Sequence, residues 1–167
     1  MVGQLQAAGN VHTLANYLTL LSTAGLVCGL QKFSIAPHRH KASSPKLQVL
    51  NTALASAPSH RTFEEAQENQ EFWHGLTESC IGAHLINSSL GTQTEIFYWK
   101  VGTKEVDFVI EKGNSFIAVV VNTGRKRKIF PSIQEFTKIF QPKKRIIVGD
   151  EGIPVEELLL APSYSWF

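Results

Sequence analysis

Cysteine is almost missing from this 167-residue chain, which has two, Cys28 and Cys80. They form no CxxC, and each sits in an apolar run where a small buried hydrophobe is expected, so a reducing compartment fits. Long apolar runs are missing too. The longest, LTLLSTAGLVCGL from Leu18 to Leu30, has 13 residues and is broken by Ser22, Thr23, Gly25 and Gly29. That falls short of the roughly 20 residues that cross a bilayer, and Met1 has neither the basic flank nor the cleavage site of a signal peptide. The expectation is a soluble cytoplasmic protein with no membrane partner. A nucleotide loop is also absent. No GxxxxGK[ST] occurs, and VGTKEVD at 101–107 reads as a hairpin turn and a strand, with no helix N-terminus to receive phosphate. The chain by itself is therefore not expected to bind ATP or to carry any other cofactor.

Acidic residues are absent from positions 1–60, which hold four Lys or Arg and four of the six His. Positions 61–111 carry three basic and nine acidic groups, and 112–167 carry nine basic and five acidic. Two basic segments thus flank an acidic one, a distribution that permits a polyanion partner for the ends. With 43% hydrophobic and 18% charged residues the chain reads as globular, of a length that suits one domain or one domain with a small appended module. It shows no internal repeat and no low-complexity tract.

Thr13 is placed to cap a helix with Leu14, Tyr17, Leu18, Leu21 and Ala24 on one stripe and Gly25 as its stop. LVCGLQKF then reads as a strand, SIAPHRHKASSP as a basic loop and KLQVL as a second strand. Helix, strand, loop and strand make the second half of a winged helix-turn-helix over 1–52, with Gly3 to Ala8 all that is left for a preceding helix. An Ala, Ser and Glu-rich linker is expected over 53–70, turning helical near Phe63. A second, larger domain is expected over 71–167. It begins with a helix from Glu71 to Asn87 carrying Phe72, Leu76, Cys80 and Ala83 on one line, with Glu78 beside them. TEIFYWK, KEVDFVIE and FIAVVVN follow as strands with tight turns, then a helix over Pro131–Phe140, the strand KRIIVGD and a short helix over Val155–Leu160. The fold class is therefore α+β or α/β, a mixed sheet flanked by helices.

Strict alternation along KEVDFVIE puts Val106, Phe108 and Ile110 on one face and Glu105, Asp107 and Val109 on the other. A two-residue turn at Gly113-Asn114 sets Asp107 opposite Val120 and Glu105 opposite Asn122. That face raises the question of charge. An Asp on one strand, with a Glu and a Lys two apart on the next, can hold a divalent metal and orient a water for attack at phosphorus, often with a further Glu from a helix. Asp107 and Glu78 suit two of these four parts, while Val120 and Asn122 stand where the Glu and Lys belong.

The order of LQAAGNVHTLANYLTLLSTAGLV, SSPKLQVLNTAL, WHGLTESCIGAHLINSS, FYWKVGTKEVDFVIEKG and IAVVVNTG resembles the C-terminal region of bacterial and archaeal AAA+-type ATPases. In these, a winged helix and a domain similar to the PD-(D/E)xK, or restriction-endonuclease-like, nucleases follow the ATPase module. The resemblance runs from about Val2 to Leu160 and implies that 71–167 is the nuclease-like domain. It implies an upstream ATPase domain that binds the ATP, with Glu78 as the helix glutamate and Asp107 as the metal-binding aspartate. Against an apolar-Glu-Val-Lys-Ser/Thr-Gly pattern this chain has Val119, Val120, Val121, Asn122, Thr123 and Gly124. The resemblance therefore implies a vestigial catalytic motif, with Mg²⁺ held poorly by Asp107 alone unless Glu105 supplies the lost ligand.

Three functions follow as expectations. The first is a catalytically degenerate accessory module of an ATPase, binding nucleic acid or regulating its parent. Its DNA contacts would come from Arg39 and Lys41, with His38, His40, Thr13, Asn16 and Thr23 around them, and from Arg125, Lys126, Arg127 and Lys128. The second is an active Mg²⁺-dependent nuclease using Glu78, Asp107 and Glu105. The third is a protein interaction domain using Tyr164, Trp166 and Phe167. A solvated basic loop, a winged helix that merely joins two domains, and ordinary carboxylates at Glu78 and Asp107 are the plainer alternatives. His38-x-His40 is too little for a metal site. His74 and His84 suit a core or interface better than catalysis.

Overall fold

The computed structural model describes residues 11–35, 44–123 and 129–167. Helix α1 spans Val11–Thr23, so Thr13 lies inside its first turn and not at its cap. The helix ends on Gly25 at φ 68°, with Gly25 N–H donating to Ser22 and Leu26 N–H to Leu21, the paired bonds that a left-handed glycine makes possible. None of its described side chains is buried. Its expected apolar stripe is thus only half-covered, with Tyr17 and Leu21 exposed.

Strands β1 (Val27–Lys32) and β2 (Lys46–Val49) form an antiparallel hairpin. Here the hairpin is also the edge of one six-stranded mixed sheet, because β1 runs parallel to β3 (Thr94–Val101). Tyr98 of β3 adds a tie, its hydroxyl donating to the Ser44 carbonyl at 2.8 Å. The expected linker is largely helical. After α2 (Ala53–Ser56), α3 (Phe63–Glu68) opens with a reciprocal capping box between Thr62 and Glu65. Asn69 then caps α4 (Gln70–Ser89) by accepting from Phe72 N–H at 3.0 Å.

The buried residues of α4 are His74, Thr77, Ile81, Gly82, Ala83 and Leu85, so of the expected stripe Ala83 is buried while Phe72, Leu76 and Cys80 are half-buried, and Glu78 is left at the shoulder. Strands β3, β4 (Lys104–Lys112) and β5 (Ser115–Asn122) form an antiparallel meander. Pairing of Lys112 with Ser115 fixes the two-residue turn, which Gly113 enters at φ 59°. Helix α5 (Ile129–Phe140) then carries the chain to β6 (Lys144–Gly149), parallel to β5, before α6 (Val155–Leu160) and a final 3₁₀ turn over Ser163–Trp166.

Two apolar layers sandwich the sheet. On the α4 side Ile81 and Leu85 pack on Leu30, Tyr98, Phe108, Ile110, Ile117, Val119 and Val121. On the α5 side Ile133 and Phe136 pack on Phe33, Phe97, Trp99, Val106, Val109, Ala118 and Val120. Val106 and Phe108 therefore face opposite ways, against strict alternation. Phe97 pairs with Val109 but Trp99 with Val106, so β4 carries one residue more than β3 across this stretch. That bulge at Asp107-Phe108 resets the faces.

Candidate functional site

Lys46 begins β2, and its period-two partner Gln48 shows which face it presents. The Gln48 amide donates to the Ser79 carbonyl of α4 at 2.9 Å, and Lys46 Nζ lies 2.7 Å from Glu78 Oε1 one residue earlier on that helix. Such a close approach of strand and helix depends on Gly82. A Cβ there would meet Gln48 Oε1 at 2.3 Å and the Phe108 ring at 2.8 Å.

From β4 come two more carboxylates. Glu105 Oε1 is 3.0 Å from Lys46 Nζ, and its Oε2 is 3.0 Å from Lys100 Nζ. Asp107, fully buried by the bulge, accepts a 2.8 Å hydrogen bond from Val121 N–H. One oxygen each of Glu78, Glu105 and Asp107 lie within 4.8 Å of one another. Lys46 Nζ also stands 5.6 Å from the centroid of the Phe108 ring. Glu105 is drawn below the ordinary carboxylate range. Burial pushes its pKa up, but the charge of Lys46 and the hydrogen bonds from Lys100 and Lys46 outweigh that. Lys46 is held above the ordinary lysine range, where burial is outweighed by the charges of Glu78, Asp107 and Glu105. Glu105 and Lys46 thus stay charged together across the neutral range, as an ion pair does.

His74, 2% exposed, backs the cluster. Its Nδ1 is 3.2 Å from the Thr123 hydroxyl, and its Nε2 points to Glu78 Oε2 at 3.5 Å without a hydrogen-bond partner.

Of the residues singled out in sequence, Glu78, Glu105 and Asp107 come together here. Val120 does not. It is fully buried in the apolar layer under α5, and strand alternation sends Asn122 to that same face. The expectation that Asp107, Val120 and Asn122 share a side is corrected by the bulge, which turns Asp107 toward α4. Val120 consequently does not plug the cluster. The basic candidates Arg39, Lys41, Arg125, Lys126, Arg127 and Lys128, and with them His38 and His40, lie outside the described residues. Asn16 is exposed on α1, while Thr23 hydrogen-bonds back to the Thr19 carbonyl. Among the C-terminal aromatics Tyr164 is exposed, but Trp166 and Phe167 pack against the α4-side core. His84 Nε2 is 2.9 Å from the Ala161 carbonyl and serves to dock the chain end. Lys46 is the residue that sequence reasoning missed.

The sandwiched mixed sheet defines an α/β domain with a carboxylate-lysine cluster at one end of its α4 face. The model of a domain of unknown function, DUF4143, matches residues 74–163, and the chain belongs to that family. No curated protein and no solved structure matches. Among the described residues no helix is long and apolar enough to cross a membrane.

Proposed function

We propose that the chain is a nuclease-like accessory module of an AAA+-type ATPase, catalytically degenerate and used to bind or regulate. The observation that carries this reading is Lys46, whose ammonium sits 2.7 and 3.0 Å from two of the three clustered carboxylates. A cation of the chain's own stands where a nuclease of this kind would gather its metal. The strand positions that would supply a Glu and a water-orienting Lys are Val120 and Asn122, and both face away. Nucleic acid is the proposed partner on the strength of the basic ends, and ATP belongs to the proposed upstream domain.

The convergence of Glu78, Glu105 and Asp107 favours a second reading, a Mg²⁺-dependent nuclease in which Glu105 replaces the lost ligand. Hard oxygens at this spacing suit Mg²⁺ or Mn²⁺ chemically. Incubation of supercoiled plasmid with the protein and Mg²⁺ or Mn²⁺, with Asp107→Ala beside it, separates the two. The accessory-module reading expects no cleavage above the mutant. Cleavage that disappears with Asp107→Ala establishes the nuclease instead.

A further inference from the structure

Strand β6 ends the sheet, and no strand among the described residues pairs with its outer edge. Successive residues of a strand turn their N–H and C=O groups to alternate edges, so each residue of β6 can be assigned to one. Near its end the outer edge is covered by the chain itself. Ile153 N–H donates to the Ile147 carbonyl at 2.9 Å and Gly149 N–H to the Ile153 carbonyl at 2.9 Å, while Asp150 N–H turns inward to the Asn122 carbonyl at 2.8 Å. The parallel bridge of Ile153 with Val148 shows that this edge accepts extended backbone, and the cover stops there. Alternation leaves the N–H of Ile147 and both backbone groups of Arg145 facing outward, with no partner among the described residues.

A groove of about 710 Å³ follows this open length. Thr137 of α5 lines it from one face of the sheet, and Trp166, packed on the α4-side layer, lines it from the other. Its charges have one sign. Lys143, Lys144 and Arg145 line it and are exposed, and among the described residues no Asp or Glu does. Lys144 Nζ is engaged by the Trp166 carbonyl at 2.6 Å, whereas Lys143 and Arg145 make no salt bridge among the described residues.

Three kinds of occupant would meet such an edge differently. A second copy pairing β6 with β6 would set Lys144 and Arg145 against their own kind, the means by which edge strands avoid self-association. A nucleic acid would satisfy the cations, but its phosphates only accept hydrogen bonds, so the outward Arg145 carbonyl would face negative charge. An extended peptide offers N–H and C=O groups in the alternation that the edge requires, and acidic side chains supply the complementary charge.

We propose that the outer edge of β6 is a docking site for an extended acidic segment of another protein. The segment adds a strand beside β6, with backbone bonds to Arg145 and Ile147 and carboxylates against Lys143 and Arg145. This goes beyond the accessory-module reading and stands without it, because strand addition requires neither nucleic acid nor a metal.

The test uses the full chain and, as probe, a fluorescein-labelled peptide of about eight residues alternating Glu and Val. Anisotropy reads binding, and hydrogen exchange followed by NMR reads the backbone. Saturating peptide is expected to slow exchange at the Arg145 and Ile147 amides at least about tenfold, with the Gly102 amide in the β3–β4 turn unchanged. Arg145→Glu, a change at an exposed side chain, is expected to weaken binding at least about tenfold, and a Lys-Val peptide is expected not to bind. Absence of peptide binding at millimolar concentration, or binding with the Arg145 and Ile147 amides unprotected, overturns the proposal. Protection of these amides that rises with protein concentration alone would assign the edge to a second copy, and displacement of the peptide by a lower concentration of oligodeoxythymidylate would assign it to nucleic acid. Either result overturns the proposal as well, and the wild-type exchange data decide even if Arg145→Glu does not fold. Plasmid cleavage by the same protein would count against the accessory-module reading alone.

Discussion

The two faces of the sheet are built from the same strands and end differently. Under α5 lies an apolar cluster rich in rings, with Trp99 and Phe33 each meeting Phe136 at centroid distances of 5.4 and 5.8 Å. Under α4 an equally buried layer stops at Phe108, and beyond it lie Lys46, Glu78, Glu105 and Asp107. What separates the faces is one extra residue in β4. Without the bulge Asp107 would alternate onto the aromatic side, where a carboxylate would be buried against Phe33, Trp99 and Phe136. A single insertion therefore decides which face is inert and which is charged.

The sharpest way to break this comparison is to move a carboxylate to the other face. Val120→Glu places there the acid that the expected metal-site pattern calls for, but Val120 is fully buried among Phe33, Trp99 and Phe136. Denaturant unfolding is expected to show a loss of more than about 3 kcal/mol, from a buried unpaired acid and an overfilled layer. Mn²⁺ binding should gain nothing. A stable variant with tighter Mn²⁺ binding would show that residue 120 reaches the cluster and that the assignment of faces is wrong.

A smaller effect is expected at the joint between the charged face and its helix. Gly82→Ala would press a methyl group into Gln48 Oε1 and the Phe108 ring, so α4 must shift or Gln48 must leave Ser79. The expected loss is about 1–3 kcal/mol, measured by the same unfolding curves, against the small gain that alanine brings to an open helix position. An unchanged or higher stability would mean that Lys46 and Gln48 do not depend on close strand-helix contact.

Much of this fold was legible in the sequence because its signals are local. The turn at Gly113-Asn114 set the pairing of Phe108 with Val119 and Ile110 with Ile117, as found. Gly25 marked the end of α1, and the α4–β3–β4–β5–α5–β6 order followed from periodicity and from Gly and Pro punctuation. The bulge was not legible, since nothing in KEVDFVIE distinguishes a regular strand from one with an extra residue, and every facing beyond it shifted with it. Lys46 was missed for a different reason. Its alternation with Gln48 against Leu47 and Val49 was visible, but β2 looked like a free wing, and which side of a short strand is covered is decided by long-range pairing with β3 through β1. Glu78 and Asp107 were singled out by a resemblance to a metal-site pattern and do come together, so the site was half visible.

The smallest expected effect tests the charged face by pH. Because the folded pKa of Glu105 lies below its ordinary value, the native state favours the ionised form, and this contribution is present above the ordinary carboxylate range. It is lost as pH falls through the depressed value. Lys46 behaves in mirror image. Its folded pKa is raised, so its contribution is complete below the ordinary lysine value and is lost as pH rises through the raised one. Lys46→Gln removes the ammonium group whose charge acts more strongly on Glu105, and the acid limb of stability against pH should therefore move to higher pH. With both side chains partly open to solvent, the difference between the variant and wild type is expected to reach only about 1 kcal/mol between neutral and acidic pH. Superimposable acid limbs would mean that Lys100 alone holds Glu105 ionised, and the charged face would then be two independent pairs in place of one cluster.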